Sequence, residues 1–135
     1  MVHLTKNNMN FDRIIETARA ITPINEIHKH FTFAYRKNKL LAIGLNNSRK
    51  THPHLFKYEY RTKSGRNAGI HSELSAILKL QQEDCSDIVF VNLRIRRDGK
   101  IGMSKPCVGC QNLLRQTGFK RLFFSNQAGK FQELT

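Results

Sequence analysis

The chain has 135 residues, 39% hydrophobic and 9% aromatic, and sets 23 Lys and Arg against 10 Asp and Glu. That is enough for a single domain (1–135) with its own core, too short for two comfortable ones, and globular rather than disordered in composition. A net charge of +13 points to an anionic partner such as a polynucleotide, a nucleotide or a membrane surface; the bland alternative is a lysine-biased composition without functional meaning.

In chain order, MVHLTKNNMNFDRIIE contains no apolar stretch of the signal-peptide kind, and no run approaches the roughly 18 residues of a membrane span. A cytoplasmic or otherwise intracellular protein without a membrane partner is therefore expected. Asn10 is a suitable N-cap for a helix over 11–21. Phe11, Ile14, Ile15, Ala18 and Ile21 keep the helical period, and Pro23 ends it. Phe31, Phe33 and Tyr35 then alternate with smaller residues, Arg36-Lys37-Asn38-Lys39 makes a turn, and Leu40 to Leu45 is a second run, together a β-hairpin.

Residues 46–70 have no clear period and contain Pro53, Gly65, Gly69, Phe56, Tyr58 and Tyr60. A loop this long in a compact domain is usually functional or ordered by binding. A helix is expected from about His71 to Glu83, and a strand from Asp87 to Arg96. In that strand Val89, Val91, Leu93 and Ile95 share one face, while Ile88 and Phe90 share the other with Asn92, Arg94 and Arg96. Asp98-Gly99 signals a turn. Cys107 to Gln116 reads as a short helix with Gly118 just past its end, followed by strands at 120–125 and 130–134. The order α-β-β-α-β-α-β-β describes an α/β layer sandwich. Positive charge gathers outside the helices: nine Lys and Arg face one acid, Glu59, between Arg36 and Arg66, and a second group holds Arg94, Arg96, Arg97, Lys100 and Lys105.

Two short motifs carry chemistry. His71 and Glu73 stand two apart at a predicted helix start, where side chains of the first turn can converge on whatever lies off the helix end. Cys107 and Cys110 form a C-x-x-C at another helix start, where thiolates are favoured. Three cysteines without a secretion signal argue against a disulfide framework. One imidazole and two thiolates suit zinc, and three protein ligands with an open position fit a catalytic rather than a structural ion. Each half alone has a plainer explanation. His71 could be an ordinary histidine, and the cysteines a redox pair or a structural half-site. A redox pair would want a strand just before it, and a structural site a second ligand pair. His52-Pro53-His54 is a weak metal signal, and Cys85 reads as a core or helix-end residue.

His71-Ser72-Glu73 with Pro106-Cys107-Val108-Gly109-Cys110 resembles the H-x-E…P-C-x-x-C signature of zinc nucleobase deaminases, a pattern already known rather than one deduced from spacing. The chain is accordingly identified as a member of the cytidine deaminase superfamily over about residues 11–134. Most relatives carry Ala where this chain has Ser72. The resemblance implies a three-layer α/β/α sandwich on a mixed five-stranded sheet, with His71, Cys107 and Cys110 on Zn2+. It also implies hydrolysis at C4 of cytosine, with Glu73 moving the proton of a zinc-activated water to the ring nitrogen and helping ammonia leave. Gly44-Leu45-Asn46 resembles the family's G-x-N, in which the Asn binds the substrate sugar. Groups at Ser72, Ser104 and Lys105 are expected at the base edge, with an aromatic from 54–60 stacked on it.

For the substrate, charge and topology pull apart. Arg49, Lys50, Arg61, Lys63 and Arg66, interleaved with Tyr58 and Tyr60, suit a single-stranded DNA or RNA, whose phosphates meet cations and whose bases stack on rings. The short turn at Asn126 to Gly129 forces the last two strands to be antiparallel, as in deaminases of free cytidine and some bacterial toxin-type polynucleotide deaminases. The deoxycytidylate, tRNA adenosine and vertebrate DNA-editing branches pair these strands in parallel. Cytosine in a single strand is the first expectation. A free cytosine nucleoside or nucleotide comes second, and a non-enzymatic basic module with structural zinc third; the third leaves Glu73 without a purpose.

Overall fold

The computed structural model describes residues 9–21, 29–47 and 71–134. Helix α1 (Phe11–Ala20) starts at Asn10, whose Oδ1 accepts from the Arg13 amide at 3.1 Å, and it stops where Ile21 turns extended. The hairpin of β1 (Lys29–Arg36) and β2 (Lys39–Leu45) follows, then α2 (Ser72–Leu80), β3 (Ile88–Ile95), β4 (Ile101–Gly102), α3 (Val108–Thr117), β5 (Arg121–Ser125) and β6 (Phe131–Glu133). None of the described helices is long and apolar enough to cross a membrane.

The sheet runs β2-β1-β3-β5-β6, with β4 paired to β3 beside this path. Among the described strands only β3 and β5 pair in parallel; β5 and β6 are antiparallel, as their short turn requires. The expected five strands become six because β4 is two residues long, too short to show a period. It closes a small hairpin over Asp98-Gly99, with Gly99 at φ 85° and the Arg96 amide donating to the Lys100 carbonyl at 2.7 Å. Helix α2 ends at Leu80, earlier than its pattern suggests, because Gln81 adopts a left-handed conformation (φ 55°).

The alternation of β3 divides the core as its sequence predicts. Val89, Val91, Leu93 and Ile95 pack with Phe31, Phe33, Phe123 and Phe131 under Ile14 and Ala18 of α1. Ile88 and Phe90 pack with Ala34, Ala42, Leu122 and Phe124 under Ala76 of α2 and Leu114 of α3. Of the described helices one therefore covers one face and two cover the other, giving three layers.

Gly44 brings β2 unusually close to α2. A Cβ there would overlap the Ser72 carbonyl oxygen and the Ala76 amide nitrogen and lie 2.8 Å from the Ala76 Cβ. Backbone cannot yield as the end of a flexible side chain can, so Gly44→Ala must push the first turn of α2 away from the sheet. The expected cost is roughly 1–3 kcal/mol or more, read as a lower urea midpoint. A variant of unchanged stability would show that the contact relaxes freely.

Candidate active site

The starts of α2 and α3 meet on the two-helix face. His71 is the residue before α2 and Cys107 the N-cap of α3, its Sγ accepting from the Cys110 amide at 3.4 Å. The His71 Nδ1 lies 3.3 Å from the Cys110 Sγ and 3.5 Å from the Cys107 Sγ. All three atoms fall within 4.8 Å of one another. A tetrahedral zinc with Zn–S about 2.3 Å and Zn–N about 2.1 Å holds its nitrogen and sulfur about 3.6 Å apart. The observed separations match that value, so the donors stand where one ion would place them. Among the described residues no fourth ligand joins the group.

The electrostatics agree. Cys107 is held down to about 4, first by the hydrogen bond from Cys110 and, against its burial, by His71. Burial works to lower the His71 pKa, but the hydrogen bond to Cys107 and the charges of Cys107 and Glu73 together leave it raised. Without metal the pair therefore favours thiolate and imidazolium, and a metal takes the proton's place. Cys85, buried away from these groups, is pushed up by desolvation. In metal-free protein at pH 6, iodoacetamide is expected to label exposed Cys107 well before Cys110 or Cys85. Zinc should slow that labelling; peptide mass spectrometry reads it, and equal labelling of the three would contradict the assignment.

Glu73 is 6% exposed. Its pKa is raised, by burial first, against the opposing effects of its own backbone amide, His71 and Asn92. Its Oε2 accepts from the Asn92 Nδ2 at 2.9 Å and its Oε1 from the Ser72 hydroxyl at 3.2 Å. Ser72 in turn lies 2.8 Å from the Thr32 hydroxyl, which reaches the Asn92 Oδ1 at 2.7 Å. Ser72 thus sits between the carboxylate and the Thr32 hydroxyl.

The remaining expected residues are placed as follows. Asn46 follows β2, and its Oδ1 accepts from the His30 amide at 3.0 Å. Ser104 is buried: its amide donates to the Ser125 carbonyl at 2.9 Å, and its hydroxyl accepts from the Ser125 amide at 2.7 Å and donates to the Asn92 carbonyl at 2.9 Å. This anchors the segment entering the cysteine turn to β3 and β5. Lys105 is exposed beside it. Arg49, Lys50, Tyr58, Tyr60, Arg61, Lys63 and Arg66 lie outside the described residues, as do His52, His54 and Phe56. Sequence reasoning missed Thr32, Asn92 and Ser125. The available signal was Asn92 itself, a polar residue in the otherwise apolar start of IVFVNLRI.

Neither a protein-family model nor a curated protein matches the chain. Among solved structures, the crystal structure of cytidine deaminase from Mycobacterium leprae aligns with a TM-score of 0.53 at 18% identity, over 93% of this chain and 94% of that one. The fold is cytidine deaminase-like. At such low identity the likeness speaks for architecture. In this cytidine deaminase-like fold, the His/Cys/Cys group could hold a metal ion at the starts of α2 and α3.

Proposed function

We propose that the protein is a zinc-dependent hydrolase that deaminates cytosine to uracil, with single-stranded DNA or RNA as the substrate. The observation that carries the chemistry is the convergence of one imidazole and two thiol groups at zinc spacing, with no fourth ligand among the described residues and a buried carboxylate two residues from the imidazole. His71, Cys107 and Cys110 would hold the ion, which when bound supplies a water acidic enough to react at neutral pH. The chain does the rest. Glu73, shielded from bulk water, accepts the proton of the attacking water and returns it to the ring nitrogen and the departing ammonia. Asn92 holds its Oε2 while it does so, and the Ser72 hydroxyl lies beside its Oε1.

The polynucleotide half of the proposal rests on charge. A single phosphate needs one or two cations, and the chain carries +13, with Arg96, Arg97 and Lys100 exposed on the β3–β4 hairpin and Lys105 next to the cysteine turn. A second reading, a deaminase of free cytidine or deoxycytidylate, is favoured by the antiparallel β5–β6 pair and by the cytidine deaminase with the same architecture.

The test is a deamination assay of zinc-loaded protein on a cytosine-containing single-stranded oligonucleotide, cytidine and deoxycytidylate, each against Glu73→Ala. Uracil in the oligonucleotide, lost in the variant and suppressed steeply by salt, is the expected result. Product from the free compounds alone would select the second reading. No product from any, with zinc bound, would overturn cytosine deamination and bring forward adenine substrates or a zinc-stabilised binding module.

A further inference from the structure

We infer that Asn92 is a positioning residue: its side-chain amide locks the Glu73 carboxylate to the segment entering the Cys107–Cys110 turn, and Thr32 fixes the direction in which that amide points. The inference builds on the deaminase proposal, since it concerns the group there assigned to proton transfer.

Asn92 is 2% exposed and Thr32 is fully buried. The antiparallel register of β1 and β3 sets the two directly opposite. The Asn92 Nδ2 has two hydrogens and two acceptors within reach, the Glu73 Oε2 at 2.9 Å and the Ser104 carbonyl at 3.2 Å. Its Oδ1 has one partner, the Thr32 hydroxyl at 2.7 Å. Turning the amide over would face its oxygen toward a carboxylate and a carbonyl, neither of which can donate. Only one orientation is therefore compatible with an ionised Glu73. The Ser72 hydroxyl lies 3.2 Å from the Glu73 Oε1 and 2.8 Å from the Thr32 hydroxyl, and with the Thr32 proton spent on Asn92 its single proton serves one of the two. The Glu73 Oε2 is thus held by a side chain that is itself held.

The Asn92 amide joins two pieces of machinery that arrive on different elements. Glu73 comes from α2, and the cysteines from α3 by way of Ser104. The Asn92 carbonyl also accepts from the Ser104 hydroxyl at 2.9 Å, so one residue grips Ser104 through both side chain and backbone. A buried network could exist only to satisfy polar groups. The direct contact with the carboxylate argues for more, because the aim of a proton-transferring oxygen matters at sub-ångström scale.

The experiment uses zinc-loaded full-length protein and the variants Asn92→Leu, Asn92→Asp, Thr32→Val and Thr32→Ser. Partners that orient a metal site from outside are typically worth about 10–100-fold, and a kcat loss of that size is expected for Asn92→Leu, with KM and zinc content near wild type. Asn92→Asp keeps the shape but loses the donor, and is expected to fall at least as far. Thr32→Val should lose part of kcat, and Thr32→Ser, which restores the hydroxyl, should recover it. A readout independent of turnover is the pair of Asn92 side-chain amide signals in 1H–15N spectra, identified by their disappearance in Asn92→Leu. They are expected to shift in both Glu73→Gln and Thr32→Val. Wild-type kcat in zinc-loaded Asn92→Leu, or amide signals indifferent to Glu73→Gln, overturns the inference. If Asn92→Leu does not fold, Thr32→Val against Thr32→Ser decides, equal kcat in the two counting against it. Wild-type protein inactive on every cytosine substrate would sink the deaminase proposal, and the amide signals would still decide whether Asn92 grips Glu73.

Discussion

Glu73→Gln is expected to reduce kcat by about 10²–10⁴-fold, the usual worth of a positioned general acid–base, while the protein keeps its fold and its zinc. Glutamine preserves the volume in a site where the side chain is 6% exposed, and its carbonyl can still accept from the Asn92 Nδ2. What it lacks is basicity, so under the proposed mechanism the proton of the attacking water has nowhere to go. Stability should move the other way in metal-free protein. Burial raises the Glu73 pKa above its ordinary 4.5. A raised carboxyl contributes its stability below the unfolded value and loses it as pH climbs through the folded one. At pH 7 the ionised group is therefore a burden that glutamine does not carry. Thermal melts of metal-free wild type and variant should diverge in favour of glutamine as pH rises from 4 to 7. A variant that loses zinc along with activity would make Glu73 structural, and one that keeps full activity would end its role as proton carrier.

The second large effect is expected at the cysteines. Cys110 is fully buried and donates no proton-free ligand if replaced by serine, whose hydroxyl stays protonated at neutral pH. Outer partners of a metal site already account for 10–100-fold in affinity, so loss of a direct ligand in Cys110→Ser is expected to weaken zinc by more than about 100-fold. Wild-type protein should melt lower after chelation, because an ion bound only to the folded state stabilises it; Cys110→Ser should melt at the same temperature with or without the chelator. Cys107→Ser is the cleaner companion. The Cys107 sulfur also caps α3 by accepting from the Cys110 amide, and serine is a strong N-cap. That variant should lose zinc and activity yet keep the start of the helix. Zinc bound at full stoichiometry to both serine variants would displace the proposed centre.

These effects involve residues that the sequence made visible unequally. His71, Cys107 and Cys110 stand out because ligand chemistry tolerates few residue types and a helix start brings i and i+3 together. The faces of β3 were legible because alternation is a local property of a strand. Gly118 ends α3 at φ 69°, as a glycine after a helix suggests, whereas nothing in Gln81 announces the left-handed turn that ends α2. Thr32 and Asn92 are 60 positions apart and meet only through the register of β1 on β3, which no local pattern encodes. Ser104 and Ser125 likewise depend on β5 lying beside β3. The candidate ligands are a matter of composition and spacing; the residues packed around them are a matter of pairing.

The parallel contact between β3 and β5, the one such pairing among the described strands, has a temporal consequence. Hairpins can form as soon as their two arms exist, but parallel neighbours must wait for the whole crossover between them, here the segment that includes α3. Ser104 finds its backbone partner in Ser125 at the far end of that crossover. A chain emerging from the ribosome therefore carries His71 and both cysteines well before it can hold them still. The His/Cys/Cys group is fixed only once the last strands of the sheet are in place.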